Sequence, residues 1–282
     1  MRALVFGGSG QVGAALLPRL RAAGWEMVAV SRDPHVASPG LRWLRGDLAH
    51  CDGLPDAVDA IFSCGPLDHF AFWLARSTLR APRIVAFGST SVTVKQASRD
   101  AAERDVAGRL AEGEQRVFDA AAARGAPATV LRPTLVYGAG RDQTLARLAR
   151  FASKRGWLPL PAGATGLRQP VHVDDLAQAA MEVLDAPGTQ GRAFALPGGE
   201  TLPFREMVAR TLAALPSTPR LLEVPAPLFA AVAGAVRLVG RGIGAGAIAR
   251  LREDLVFDPG PAAAAFGYAP RRFQPEAVLP AG

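Results

Sequence analysis

Apolar and polar positions along the 282 residues fall into short blocks whose period switches between two and about four. Residues 3–6 are an apolar strand-like run ending in Gly7-Gly8-Ser9-Gly10-Gln11-Val12-Gly13. A helical pattern follows (Ala14, Ala15, Leu16, Leu17, Leu20), with Gly24 placed to cap it. Pro18 lies inside that helix, where the loss of a backbone donor predicts a kink. Runs at 25–30, 41–44, 57–63, 83–87 and 128–131 read as five more strands. Residues 100–124 are polar, with Val106, Leu110, Val117 and Phe118 at helical spacing. Strands alternating with helices at this interval predict an α/β fold, a doubly wound parallel sheet of the Rossmann type.

Beyond residue 140 the pattern is less regular. An amphipathic helix is expected at 144–151, and a glycine-containing loop at 163–166 leads to Arg168. A helix opens at Val171-His172-Val173-Asp174-Asp175 and runs to Leu184; another spans 202–215, with Thr201 as its cap. Residues 226–239 are apolar and are then broken by Gly240, Gly242, Gly244 and Gly246 among arginines. That stretch reads as a packed helix of a cap, with a membrane-surface helix as the other reading. The expected division is a dinucleotide-binding domain at 1–165 and a smaller C-terminal capping region at 166–282, interleaved with it.

Charge and composition narrow the function classes. The net charge is +7, and because Lys95 and Lys154 are the only lysines it comes almost wholly from arginine. Those arginines are scattered and not interleaved with aromatics, which argues against a nucleic-acid partner. Cys51 and Cys64 have no metal-ligand spacing, and His35, His50 and His69 read as loop or surface residues, so no metal site is expected. No apolar run is long enough to span a bilayer, and the first residues lack signal-peptide anatomy; the cytoplasm is the expected compartment.

The candidate chemistry sits where strands end. In a strand–turn–helix, Gly7 permits the tight turn, Gly10 lets backbone approach a pyrophosphate and Gly13 lets helix pack on strand. The helix N-terminus then offers free N–H groups and a positive dipole end. Ser31 and Arg32 lie at the second strand's tip, where a guanidinium suits the 2′-phosphate of NADP; Asp33 alternatively supplies the acid that holds the NAD ribose. Asp47, after Gly46, is placed either to accept from an adenine amino group or to cap the next helix. Cys64-Gly65-Pro66 are small enough for a cofactor to pass, and Cys64 reads as a buried small hydrophobe. Ser89-Thr90-Ser91 at the fifth strand's end suit chemistry or a helix cap.

In this order and spacing, the Gly7/Gly10/Gly13 turn, Gly46-Asp47-Leu48, Ser89-Thr90-Ser91, Leu131-Arg132-Pro133 through Gly138, and Val171 to Asp175 resemble the extended short-chain dehydrogenase/reductase family, also called the NAD-dependent epimerase/dehydratase family. The resemblance implies that Gly7, Ser9, Gly10, Gln11, Val12 and Gly13 cradle the pyrophosphate. Ser31 and Arg32 would meet the adenosine phosphate, and Asp47 and Leu48 would border adenine. Cys64, Gly65 and Pro66 would line a ribose, and Pro133 would back the nicotinamide. Thr90 falls on the family's catalytic Ser/Thr, while Ser91 and Arg168 fall on the substrate side. NADP is the expected cofactor, with NAD the alternative, and a small polar molecule such as a sugar nucleotide is the expected substrate.

One departure is plain. The family's Tyr-x-x-x-Lys pair should fall near Val106 and Leu110, a few residues before Glu114, and neither residue there can move a proton. Arg109 can replace the lysine's charge but is a poor acid or base. Lys95, just past the Ser/Thr cluster, is the candidate substitute for the proton transfer, against its plainer reading as a solvated loop lysine. Two function classes follow: an enzyme with an atypical site, or a non-catalytic NAD(P)-binding structural or redox-sensing protein.

Overall fold

A computed structural model describes residues 1–140, 142, 144–225, 227–229, 231 and 250–279. The chain opens as β1 (Arg2–Phe6), α1 (Gln11–Ala22), β2 (Glu26–Ser31), β3 (Leu41–Arg45), β4 (Ala60–Ser63) and α2 (Leu67–Arg76). It continues through β5 (Ile84–Phe87), α3 (Ser91–Val94), α4 (Ala101–Ala123) and β6 (Ala128–Pro133). After β7 (Val136–Tyr137), α5 (Leu145–Arg155), β8 (Trp157–Pro161), β9 (Leu167–Arg168) and β10 (Val171–His172) come α6 (Val173–Glu182) and β11 (Arg192–Leu196). Last are β12 (Leu202–Pro203), α7 (Phe204–Ala213), β13 (Arg220–Val224) and a short helix, α8 (Gly260–Phe266).

Seven strands form one sheet in the order β11-β6-β5-β4-β1-β2-β3, every pair parallel. Period-two alternation explains why β1 is wholly apolar: Ala3 and Val5 face one core, Leu4 and Phe6 the other. Helices α1 and α6 cover the first face, α2 and α4 the second, so both faces are dry, as parallel sheets require. The order reverses between β1 and β4, leaving the switch point at the carboxyl ends of those strands.

Several expectations are refined by tertiary context. The chain stays helical through Pro18, because Pro18 and Ala14 both face solvent and water can take the carbonyl that the proline leaves unpaired. Strand β4 begins only at Ala60; Ala57 makes an isolated bridge to Arg80 instead. The expected helix at 202–215 begins at Phe204, because Leu202 and Pro203 pair antiparallel with β9; its N-cap is Pro203, not Thr201. Helix α5 extends to Arg155, and Asp142 rather than Thr144 caps it, accepting from the N–H groups of Thr144 and Ala146.

A second, smaller core gathers Tyr137, the buried face of α5, Leu158, Leu160, α7, Phe273 and Val278. The cap therefore draws on chain before residue 165, and the main sheet draws β11 from beyond it. Of the apolar stretch at 226–239, expected as a cap helix, all but residues 227–229 and 231 lie outside the described residues.

Candidate functional site

The glycine turn has the geometry that its residues imply. Gly7 is left-handed (φ 71°), and Gly10 N donates to Gly7 O at 2.9 Å. A Cβ on Gly13 would stand 2.2 Å from Gly7 O, so only glycine lets α1 press against the strand end. A Cβ on Gly7 would come within 3.0 Å of the backbone of Cys64 and Gly65. The β1 and β4 loops thus touch across the switch point. The N-cap of α1, Gly10, makes no side-chain capping bond to the first N–H groups of the helix. Beside them Gln11 Oε1 is buried without a hydrogen-bond partner, a polar atom awaiting a donor. These features fit a dinucleotide: a cradle closed to any Cβ, an uncapped helix start and an orphaned acceptor.

At the tip of β2, Ser31 Oγ lies 3.0 Å from Ser9 Oγ and 3.0 Å from His35 Nε2, and accepts from Asp33 N. The His35 ring stacks on Trp43 at 4.2 Å, and a Cβ on Gly8 would approach that indole to 3.3 Å. His35 and Trp43 therefore pack beside Ser31 and the glycine turn, a placement the isolated spacing of His35 did not signal. Arg32 is exposed beside Ser31. Asp47 accepts from Ala49 and His50 N–H through Oδ1, and these backbone bonds, with smaller pulls from His50 and Arg32, hold its carboxyl below the usual range. No helix begins directly after Asp47, contrary to expectation; its carboxylate caps a local turn. Leu48 packs toward Gly65. Burial pushes the Cys64 thiol up to about 12, which makes it a packing residue and not a nucleophile.

At the carboxyl end of β5, Thr90 is buried, and its hydroxyl donates to the Pro133 carbonyl at 3.1 Å. That bond ties the β5 end to the β6 end. Ser91 opens the four-residue α3, and Lys95 follows it, half-buried, within electrostatic reach of Glu103. Glu103 pairs with Arg250 and accepts from Ser98, and the Arg250 bond holds its carboxyl below the ordinary range. Arg168 is buried; its guanidinium donates to the carbonyls of Leu167, Glu253 and Arg250 and lies over the Phe204 ring. The structure uses it to lace segment 250–253 to β9, not to present a charge to open space.

Helix α4 puts Val106, Leu110 and Glu114 at successive steps of four, on one face. Glu114 reaches Arg132 at the end of β6, with Arg132 Nε 2.9 and 3.0 Å from its two oxygens. This pair was not read from the sequence; an acid in the apolar register of α4 (Ala107, Leu110, Glu114, Val117, Ala121) was the signal for it. Neither tyrosine supplies the missing phenol. Tyr137 OH accepts from Gln274 N, and burial pushes it up to about 12. Tyr268 OH donates to Pro197 O, and burial raises it as well. Among the described residues no cluster of three or more His, Cys, Asp or Glu is arranged to hold a metal.

The family model of the NAD dependent epimerase/dehydratase family matches residues 3–78 and 111–196. The chain belongs to that family. It is 33% identical over 254 residues to a 2-alkyl-3-oxoalkanoate reductase of Stenotrophomonas maltophilia (strain K279a), covering 76% of each chain. Over 107 residues it is 32% identical to the mitochondrial NADH dehydrogenase [ubiquinone] 1 alpha subcomplex subunit 9 of Arabidopsis thaliana, covering 38% of this chain and 26% of that one. Among solved structures, MoeE5 in complex with UDP-glucuronic acid and NAD superposes with a TM-score of 0.73 at 19% identity, over 99% of this chain and 96% of that one. The family model stops at residue 78 and resumes at 111, so the Ser/Thr cluster and the start of α4 fall in its gap.

Proposed function

We propose that this protein is an NADP(H)-preferring enzyme carrying out epimerase-, dehydratase- or reductase-type chemistry on a sugar-nucleotide-like or other polar small molecule. The observation that carries the reading is the pairing, on one carboxyl edge, of the Gly7–Cys64/Gly65 cradle with the Ser89-Thr90-Ser91 cluster. The similarity to a 2-alkyl-3-oxoalkanoate reductase supports a carbonyl or hydroxyl carbon as the reacting centre. The bound nicotinamide supplies or accepts the hydride.

In this reading the N–H groups of Gln11, Val12 and Gly13, with Ser9, hold the pyrophosphate. Gln11 Oε1 gains a donor there. Ser31 and Arg32 read the 2′-phosphate, Leu48, Gly65 and Pro66 shape the adenosine channel, and Pro133 backs the nicotinamide. The Thr90 hydroxyl, held by the Pro133 carbonyl, keeps lone pairs with which to orient a substrate hydroxyl. Ser91 meets the substrate, and Lys95 or water moves the proton. Arg168 acts from behind the wall, holding segment 250–253 in place. Substrate discrimination is expected from the cap.

A second reading is favoured by Val106 and Leu110, which leave the two positions of the family's Tyr-x-x-x-Lys pair without an acid or base, and by the stretch resembling a respiratory-complex subunit. In it the protein binds the cofactor without turnover. Titration with NADPH and NADH, then reduced-nicotinamide absorbance and product analysis with a panel of sugar nucleotides and 3-oxoacids, separates the two. A substrate-dependent change that Thr90→Ala or Lys95→Ala abolishes supports the enzyme. Tight binding with neither spectral change nor product supports the second reading. Arg32→Ala is expected to weaken NADPH binding about ten- to a hundredfold and spare NADH; equal loss for both refutes the NADP preference.

A further inference from the structure

We propose that one edge of the cap, formed by α5 and the β8–β13 pair, is a docking surface for an anionic phospholipid bilayer. Helix α5 buries Leu145, Ala146, Ala149 and Ala152 in the smaller core. Its opposite positions, Arg147, Arg150, Phe151, Lys154 and Arg155, are all exposed and fall at steps of three and four along one face. Residues 145–161 contain no acid, and Asp142 before them spends its carboxylate on the helix start. Arg150 donates to the Gly140 carbonyl, and none of the four cations forms an ion pair with a described acid. Helix α7 in the same core is different: its Arg210 pairs with Glu200 and Glu206. A solvated helix face mixes signs; this one does not.

Apolar surface stands among those cations. Phe151 and Trp157 are each 41% exposed and meet edge to face, ring centres 6.2 Å apart. Strand β13 places Arg220 beside Trp157 and Leu222, 45% exposed, beside Pro159. Strand alternation puts these four on one face, while Leu158 and Leu160 turn into the core. Glu223 takes the other face and pairs with Arg205. Aromatic rings ringed by lysine and arginine suit the boundary between headgroups and acyl chains, where the rings enter and the cations meet lipid phosphates. An acidic protein would satisfy the charge but has no need of the exposed aromatic pair. The chain also leaves β13 directly into residues 225–239, whose only charged residue is Arg237.

The test is co-sedimentation of the full chain with vesicles of phosphatidylcholine alone and of phosphatidylcholine mixed with phosphatidylglycerol. Binding is expected to the mixed vesicles only, to weaken as salt rises, and to shift tryptophan emission to the blue. Replacing Arg147, Arg150, Lys154 and Arg155 together by glutamine is expected to weaken it about tenfold or more. Phe151→Ser with Trp157→Ser should remove the blue shift; far-UV circular dichroism checks that each variant is folded, and the glutamine variant alone carries the test if the aromatic one is not. Failure of the wild-type chain to sediment overturns the proposal. Equal binding to neutral vesicles, or unchanged binding of the glutamine variant, overturns it as well. Retention on polyglutamate without vesicle binding replaces the bilayer with an acidic protein partner.

Discussion

Glu114 on α4 holds the guanidinium of Arg132 through both carboxylate oxygens, joining the helix to the carboxyl end of β6. The glutamate side chain is 5% exposed and the arginine's 29%, so removing the arginine leaves the better-buried charge alone. Arg132→Met is expected to cost about 3–5 kcal/mol of stability, and Glu114→Gln less. The double variant Glu114→Leu/Arg132→Leu should cost less than the sum of the two single leucine variants. Urea unfolding of the four-member leucine cycle measures the difference.

Three glycines make a graded series. Gly13→Ala drives a methyl into the Gly7 carbonyl and is expected to cost about 3 kcal/mol or more and to abolish dinucleotide binding. Gly10→Ala, whose Cβ would stand 3.1 Å from the same oxygen, should be milder. Gly108 lies mid-helix on α4, exposed, with nothing within 4 Å of an added Cβ; Gly108→Ala should stabilise by about 0.5–1 kcal/mol. Thermal melts and calorimetric titration rank the three.

Glu114 is fixed in place against Gly88 and Arg132, and Val106 and Leu110 lie two turns and one turn before it on the same helix face. Val106→Tyr with Leu110→Lys would restore a phenol and an ammonium at the positions where the family pattern has them. If the chain is an enzyme working without them, the double variant is expected to turn over about 10²–10⁴ times faster. Unchanged turnover with intact cofactor binding would mean that the proton path runs elsewhere.

His172 caps α6, its Nδ1 accepting from Asp174 N–H at 3.1 Å. Burial, then the charge of Arg271, lowers its pKa below the ordinary 6.5, against opposing pulls from Asp174 and Asp175. Above 6.5 the ring is neutral folded or unfolded and does not affect the balance. As pH falls through 6.5 the unfolded chain takes up the proton first, so stability falls. Urea midpoints measured against pH should show that decline, and His172→Asn should flatten it.

What could be read in advance was what neighbouring residues determine. The Gly7-to-Gly13 turn, β2, β3, β5 and α4 declare themselves within a few positions, because turn chemistry and periodicity act locally. Strand β11 does not: Arg192–Leu196 is five residues whose status depends on pairing with β6, some sixty positions away. The β8–β13 pair is equally non-local, and prolines at both ends of the region mask it. Helix α2 was legible in principle, with Leu67, Phe70, Ala71 and Leu74 at helical spacing, but its aromatic content favours a strand locally. In the site, the cradle follows from glycine spacing. The Thr90–Pro133 and Arg168–Glu253 contacts each join a side chain to a backbone carbonyl, 43 and 85 positions away, and no short window of sequence contains them.

The lacing of β9 to the C-terminal segment sets an order of events during synthesis. Arg168 and Gln169 find their partners at Arg250, Glu253 and Phe257, the last of these 88 positions downstream. At translation rates of about 5–20 residues per second, those partners emerge roughly 5–20 s after β9. For that interval the Arg168 guanidinium lacks two of its three carbonyl partners. The nucleotide half of the chain can settle as it leaves the ribosome, while the cap must wait for its own last pages to be printed.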